Sequence, residues 1–160
     1  MDYRLEDKPP FTIACKGIRV NMNDCDSMRK IPAFWHDTPP SELPYAVQKH
    51  DGVIGKAILG VCKDFDRTTG EYTYCIAVEA DPAADFGGFE RVDVPAATYA
   101  VFESVGKLPE AIQAVWSWIA DEFLPSGEFE HAPTPDIEFY PPGEHSDSYR
   151  CEVWIPVVKK

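Results

Sequence analysis

The amino-acid sequence predicts an α+β fold, built from two tandem strand-helix-strand-strand repeats that are related by a pseudo-two-fold axis around a central cleft. Runs rich in β-branched and aromatic residues flank one helical run in each half of the chain, and their order is the same in both halves. Similar anchors also recur, because Pro10 and Pro95 precede the first strand of each repeat, and Trp35 and Trp118 fall in the two helices. A length of 160 residues suits one domain with a single core.

The first repeat is expected at about residues 1–85. Its elements are, in order, a strand over 9–20, a short helix over 28–38 and a β-hairpin over 56–65 and 71–80. The helix is predicted because four apolar residues follow at helical spacing and Asp24 or Asp26 can cap it; these residues are Met28, Ile31, Phe34 and Trp35. The hairpin is predicted by the polar turn sequence DRTTG between two strand-like runs.

The second repeat is expected at about residues 90–160. Its elements are a strand over 94–106, a helix over 107–124 and a second hairpin over 136–140 and 149–157. The helix has the most regular pattern in the chain, with Pro109 in its first turn and an apolar stripe formed by Leu108, Ile112, Val115, Ile119 and Phe123.

The strand DIEFY, residues 136–140, carries a carboxylate in its middle. Successive strand side chains point to opposite faces, so Ile137 and Phe139 share one face while Asp136, Glu138 and Tyr140 share the other. One face of the sheet must pack on the helix, and the sequence predicts that Ile137 and Phe139 do so. Glu138 and Tyr140 would then face the space between the repeats, although most strand glutamates point to solvent.

The charge of the chain favours some partners and opposes others. Its net charge is −12, from 27 acidic and 15 basic residues, which disfavours direct nucleic-acid binding and gives cationic small molecules a favourable field. No apolar run approaches the length that a bilayer requires, and the N-terminus lacks the pattern of a signal peptide. We therefore expect a cytoplasmic protein without a membrane partner.

Neither a metal nor a cofactor is indicated. The histidines are scattered, and the cysteines are odd in number and without CxxC spacing; the five cysteines are Cys15, Cys25, Cys62, Cys75 and Cys151. Four of them lie in apolar, strand-like runs, where cysteine behaves as a small hydrophobic residue. We expect reduced, structural thiols.

The residues from 91 onwards resemble the GyrI-like small-molecule-binding domain, which is also the effector-binding half of AraC-type and MerR-type multidrug regulators. The resemblance is carried by PAATYAVF before the helix, by WSWI within it, by SGEFEHAPTPDIEFYPPG and by the terminal YRCEVWIPV. It covers residues 91–160 strongly and 1–90 more loosely. The family has two strand-helix-strand-strand units around a cleft, in agreement with the pattern above.

The resemblance implies that Glu138 lies at the floor of an aromatic-walled pocket and meets the positive charge of a hydrophobic cationic small molecule. Aromatic faces would add cation–π attraction. The candidates for the walls, each of which could equally be a core or rim aromatic, are Tyr99, Trp118, Tyr140, Trp154, Trp35 and Phe34. The regulators of this superfamily also carry a helix-turn-helix segment, and we expect no such DNA-binding domain here, only a single stand-alone domain.

Glu152 is a further candidate for the ligand-binding site. If the last hairpin is symmetric about His145, Glu152 lies directly opposite Glu138 on the neighbouring strand. Two opposed carboxylates would repel unless they shared a proton or a cation. A register shift of one residue would remove this pairing.

Three functions are compatible with this pattern. The first is a stand-alone binding protein for hydrophobic cations. The second is a hydrolase of cyclopropane-bearing toxins, as in some members of the family, with Glu138 as general base and sole catalytic residue. The third is a protein-binding role, with DNA gyrase or a transcription regulator as the partner, which should tolerate Glu138→Gln.

Overall fold

The structure, a computed structural model, describes residues 1–23 and 26–159. Asp24, one of the two predicted helix caps, and Cys25 lie outside the described residues. The strands and helices are β1 Tyr3–Lys8, β2 Phe11–Asn21, α1 Asp26–Asp37, β3 Ile58–Lys63, β4 Glu71–Glu79, β5 Glu90–Val94, β6 Ala97–Val105, α2 Glu110–Trp118, β7 Phe129–His131, β8 Asp136–Tyr140 and β9 Arg150–Lys159. Neither helix in these ranges is long and apolar enough to cross a membrane.

All the strands belong to one antiparallel sheet. Eight of them follow in the order β1-β6-β9-β8-β3-β4-β2-β5, and β7 pairs with the end of β9. The β1–β6 pair continues into the β2–β5 pair in the same register. Lys8 lies opposite Ala97 in the first pair, and Phe11 lies opposite Val94 in the second. Prolines separate the strands there, since a proline has no N–H to donate to the ladder. The β3–β8 pair lies at the middle of the sheet.

The two faces of the sheet bury different clusters. One face carries a core made of strand and loop residues without either helix, including Ile13, Leu59, Val61, Ala77, Tyr99, Val101, Ile137 and Trp154. The other face packs against both helices. There α1 contributes Phe34 to a cluster with Tyr74 and Ile76, and α2 covers a cluster that includes Phe102, Val153 and Ile155.

This division corrects the predicted orientation of β8. Ile137 and Phe139 pack in the core on the face away from the helices, and Phe139 stacks on Trp154 with ring centroids 5.1 Å apart. The alternation of side chains was predicted correctly, but the sheet buries both of its faces, so two apolar side chains alone could not indicate the helical side. Glu138 therefore lies on the face that packs against the helices.

The predicted α+β combination of an antiparallel sheet with two helices is confirmed. The second helix is shorter than predicted: α2 starts after Pro109 and continues as a π-helical turn over Ile119–Phe123, where the Leu124 N–H donates to the Ile119 carbonyl at 2.9 Å. Three strands were not predicted, namely β1, β5 and β7. Two of them are rich in charged residues and the third has only three residues.

Candidate functional site

A cavity of about 870 Å³ lies between the two helices and the sheet. α1 lines it with Met28, Ile31 and Trp35, and α2 lines it with Ile112 and Trp116. The sheet supplies the polar part of the lining from three adjacent strands, with Cys62, Tyr74, Asp136, Glu138 and Tyr140. A volume of this size is typical of small-molecule sites.

Glu138 lies in the middle of this lining and is only 5% exposed. Its Oε1 accepts hydrogen bonds from the Tyr74 hydroxyl at 2.5 Å and from the Tyr140 hydroxyl at 3.1 Å. Its Oε2 accepts one from the indole N–H of Trp116 at 2.7 Å. Three neutral donors thus surround a buried carboxylate, and within residues 1–23 and 26–159 no lysine, arginine or histidine forms a salt bridge with it.

A glycine on the neighbouring strand makes room for this arrangement. Gly60 of β3 pairs directly with Glu138. A Cβ at position 60 would lie 2.2 Å from the Glu138 Oε1 and 2.3 Å from the Tyr74 hydroxyl, which is far inside van der Waals contact. Gly60 therefore permits the hydrogen bond between these two groups.

Each helix reaches the carboxylate through a tryptophan. Trp116 of α2 bonds it directly, whereas the indole N–H of Trp35 on α1 donates to the Tyr74 hydroxyl at 2.8 Å. Trp35 also meets the ring of Tyr140 edge to face, with centroids 5.5 Å apart. The aromatic walls and the hydrogen-bond network thus consist of the same side chains.

Burial and hydrogen bonding act on Glu138 in opposite directions. Burial raises the pKa of Glu138, and the three donors lower it. Burial also raises the pKa of Tyr74 and of Tyr140, and the Glu138 charge adds to both shifts, so both hydroxyls stay protonated and donate. Burial outweighs the donors, so the pKa of Glu138 is raised on balance, and in the described part of the chain no basic residue forms a salt bridge that would offset the cost of the charge.

A second carboxylate lies on the same face of β8. Asp136 is 7% exposed, lines the cavity and lies 2.5 Å from Nε2 of His131, which ends β7. The hydrogen bond that the His131 ring donates to the Asp136 carboxylate raises the pKa of His131, whereas burial raises the pKa of Asp136. This carboxylate, unlike Glu138, has a titratable base beside it.

The structure brings three of the predicted site residues together and places the others elsewhere. Glu138, Tyr140 and Trp35 line the cavity. Of the remaining aromatic candidates, Tyr99 and Trp154 contact each other in the core on the opposite face, Trp118 packs on Phe102, and Phe34 is buried between α1 and the sheet.

The predicted pairing of Glu152 with Glu138 is wrong. Phe139 lies opposite Glu152, and Glu138 lies opposite Val153, so the hairpin is shifted by one residue from the symmetric register. Glu152 consequently points to the other face, where Arg4 donates to it at 2.6 Å and the Trp154 indole donates at 2.9 Å. The loop between the strands has its own hydrogen bonds and need not be symmetric about His145.

Three residues that surround the Glu138 carboxylate were not predicted: Tyr74, Trp116 and Gly60. Trp116 follows Ile112 by one helical turn and borders the apolar stripe on the side of the cavity, whereas Trp118 borders it on the other side. Choosing between them requires knowing on which side of α2 the first helix lies. Tyr74 and Gly60 gave no sequence signal of their own.

Cys15 and Cys75 lie apart from the cavity, buried in the core on the other face. Their sulfur atoms and a carboxylate oxygen of Glu90 lie within 4.8 Å of one another, and Lys63 bonds Glu90 at 3.0 Å. An ammonium group beside the cluster disfavours a metal cation there. All four cysteines of the described residues are free thiols.

Residues 1–158 match the family model of the GyrI-like small molecule binding domain. The solved structure of SAV2435 bound to tetraphenylphosphonium is similar over 99% of this chain and 94% of that chain, with 25% identity and a TM-score of 0.84. A transcription regulation protein from Staphylococcus aureus MU50 has the same fold, with a TM-score of 0.77 and 23% identity over 98% of both chains.

The curated protein YobU of Bacillus subtilis strain 168, which is named as a transcriptional regulator, is 28% identical over 98 residues. That match covers 56% of this chain and 59% of YobU, so the chain spans less than two thirds of this relative. The C-terminal domain of EcmrR shares the fold at 15% identity, with a TM-score of 0.63 over the whole of both chains.

Proposed function

Because this chain belongs to the GyrI-like small molecule binding domain family, we propose that it binds hydrophobic, cationic, drug-like compounds in the cavity between its two helices. Glu138 would meet the positive charge of the ligand, and the aromatic side chains around it would form the walls of the site.

The environment of Glu138 is the observation that carries this proposal. Removing a carboxylate from water is costly unless a positive charge compensates it. Hydrogen bonds from Tyr74, Tyr140 and Trp116 offset part of this cost without neutralising the charge. A cation in the cavity would complete the compensation, and in low dielectric the attraction between the two charges is stronger than in water.

The walls suit a lipophilic cation. Trp35, Trp116 and Tyr140 offer aromatic faces or edges to the cavity, and a cation over such a face gains about 0.5–2 kcal/mol. The bound tetraphenylphosphonium of the SAV2435 structure is a compound of this class, which supports the same class of ligand here.

The order of the strands supports a pseudo-two-fold arrangement around this site. The two halves of the sheet have the same order. From either edge, a strand outside the predicted repeat pattern, β1 or β5, is followed by the first, third and second strands of one repeat, and the two second strands, β8 and β3, meet in the middle. We infer that the two repeats are related by an axis near the β3–β8 pair, which would place Glu138 at the meeting point of the halves.

Titration with lipophilic cations tests the proposed function. We would measure binding of tetraphenylphosphonium and a rhodamine-type dye by calorimetry and thermal shift to the wild type, to Glu138→Gln and to Glu152→Gln. The last variant is a matched control, because it removes a carboxylate on the opposite face of the same hairpin. We expect Glu138→Gln to weaken binding by about tenfold or more and Glu152→Gln to change it by less than about twofold.

Other results would point to the other two functions. A folded wild type that binds neither cation, or binds both equally well after Glu138→Gln, would contradict the proposal. Glu138-dependent turnover of a cyclopropane-bearing toxin in the same samples would support a hydrolase. Inhibition of DNA gyrase that persists in Glu138→Gln would support a protein-binding role.

A further inference from the structure

The cavity contains a second buried carboxylate that the proposed function does not use. Asp136 and Glu138 lie two residues apart on one face of β8, and both line the cavity. We propose that the cavity accepts dicationic ligands, with one positive centre at Glu138 and the second at Asp136 in place of the His131 imidazole. This inference rests on the proposed function of the same site and names a ligand class for it.

The spacing of the two carboxylates follows from the strand. Side chains at positions i and i+2 of a strand are about 7 Å apart. A ligand whose two positive centres are joined by a chain of about four carbon atoms spans that distance, because extended methylene chains advance by little more than 1 Å per bond. A cavity of about 870 Å³ has room for two bulky apolar groups.

The two carboxylates differ in how they are compensated. Glu138 is held by neutral donors from β4, β8 and α2. In the described part of the chain, the hydrogen bond to the Asp136 carboxylate comes from His131, which contacts Oδ1. When protonated, His131 fills the place that a ligand cation would occupy.

His131 is placed so that it can be exchanged for a ligand group. It is the last residue of the short strand β7, its side chain is 29% exposed, and Phe65 meets its ring edge to face at 6.5 Å. Exchanging one cation for another at Asp136 leaves the local charge unchanged, so the buried carboxylate never stays uncompensated.

Other titratable groups surround the pair. Cys62 pairs with Asp136 across β3 and β8. The Asp136 charge contributes to the raised pKa of Tyr99 on the other face, and the charge of Arg67 lowers the pKa of His131. The remaining basic residues that line the cavity are Lys56, His36 and His145. None of these six forms a salt bridge with Asp136 in residues 1–23 and 26–159, so His131 is the competitor that the ligand must displace.

A matched pair of ligands tests the second subsite. The dication tetramethylene-bis(triphenylphosphonium) and the monocation butyltriphenylphosphonium share one charged half and differ in the second. Calorimetry would compare their binding to the wild type, Asp136→Asn, His131→Gln and Glu138→Gln. We expect Asp136→Asn to lower the affinity for the dication by about tenfold or more and the affinity for the monocation by less than about threefold. We expect His131→Gln to raise the affinity for the dication.

The outcomes separate this inference from the proposed function. If Glu138→Gln abolishes binding of both ligands and Asp136→Asn leaves dication binding unchanged, the second subsite is overturned. The proposed cation site at Glu138 would still stand. Equal weakening of both ligands in Asp136→Asn would also overturn it. If Asp136→Asn does not fold, His131→Gln decides, because unchanged or weaker dication binding in that variant contradicts the exchange. If neither ligand binds the wild type, both proposals fail.

Discussion

Glu138 is positioned by groups from four different elements. Gly60 of β3 leaves the space above the carboxylate open, and Tyr74, Tyr140 and Trp116 donate into that space from β4, β8 and α2. Such a network fixes one rotamer of the glutamate, because each oxygen already has a partner with a fixed direction. A ligand cation would therefore meet a charge that is already in place, which lowers the cost of ordering on binding.

The space at Gly60 can be tested by adding one methyl group. Gly60→Ala places a Cβ within 2.2 Å of the Glu138 Oε1, so the carboxylate and the Tyr74 hydroxyl must separate. We expect the free energy of unfolding to fall by about 1–3 kcal/mol and the affinity for tetraphenylphosphonium to fall with it. Urea unfolding and calorimetry measure the two effects. Gly88→Ala is the control, because a Cβ there meets nothing within 4 Å; similar losses in both variants would contradict this role.

The pKa of Glu138 predicts how binding responds to acid. Burial raises this pKa, so the carboxylate loses its charge at a higher pH than an ordinary glutamate does. We expect cation affinity to fall on acidification, by up to about tenfold per pH unit below that pKa, and to depend less on pH in Glu138→Gln, which lacks this carboxylate. Calorimetric titrations at a series of pH values measure it, and parallel slopes in the two proteins would contradict the prediction.

The same shift fixes the sign of the effect on stability. The folded protein holds the Glu138 proton more tightly than the unfolded chain does. The contribution of this residue to the free energy of unfolding is therefore largest below the unfolded pKa and decreases as the pH rises towards the folded pKa. The free energy of unfolding of the wild type and of Glu138→Gln, measured by urea unfolding over a series of pH values, gives this contribution together with its coupling to Asp136, whose charge raises the pKa of Glu138.

At the scale of elements, the two tryptophans of α2 have different surroundings. Trp116 lines the cavity and bonds Glu138, whereas Trp118 packs on Phe102 of the sheet with ring centroids 5.9 Å apart. The two side chains lie on opposite flanks of the apolar stripe that anchors the helix. Under the proposed function, one flank of the helix would contact the ligand while the other packs on the sheet.

Alanine at each position should separate these roles. We expect Trp116→Ala to lower the affinity for tetraphenylphosphonium by about tenfold or more, since it removes both an aromatic wall and a donor. Trp118→Ala should leave affinity within about twofold and lower the free energy of unfolding by about 2–4 kcal/mol. Calorimetry and urea unfolding on both variants provide the comparison. The reverse pattern would mean that the cavity is not the binding site.

The elements that the sequence predicted are those with a strong local signal. The apolar stripe of α2, the alternation of β8 and the turn between β3 and β4 depend on neighbouring residues and can be recognised one segment at a time. β1 and β5 carry many charges, and only their distant partners, β6 and β2, make them strands. Their pairing is tertiary and leaves no periodic pattern in the sequence.

Only part of the lining of the candidate site could be predicted from single residues. Glu138 and Tyr140 could be named from the strand alternation and the resemblance, and Trp35 from its place in the helix of the first repeat. To predict Tyr74 and Trp116, one must know the order of the strands and the side on which α2 packs. To place Glu152, one must know the register of the hairpin formed by β8 and β9. Each of these quantities is set by contacts between segments far apart in the chain.

At the scale of the whole molecule, the charge and the cavity act over different distances. The net charge of −12 creates a field that extends to about a Debye length from the surface, and this field attracts cations before they make contact. Glu138 is buried, and under the proposed function it would act only once the ligand has entered. Long-range attraction should therefore determine how fast a cation arrives, and Glu138 how long it stays.

Stopped-flow fluorescence of a rhodamine-type cation distinguishes the two contributions. We expect the association rate constant to fall several-fold as salt is raised, because exposed charges are screened, while the dissociation rate constant changes by less than about twofold. Glu138→Gln should keep most of the salt dependence of association and raise the dissociation rate constant by about tenfold or more, because the buried charge contributes mainly after docking. Salt dependence confined to dissociation would contradict this division and would mean that the Glu138 site is open to solvent ions.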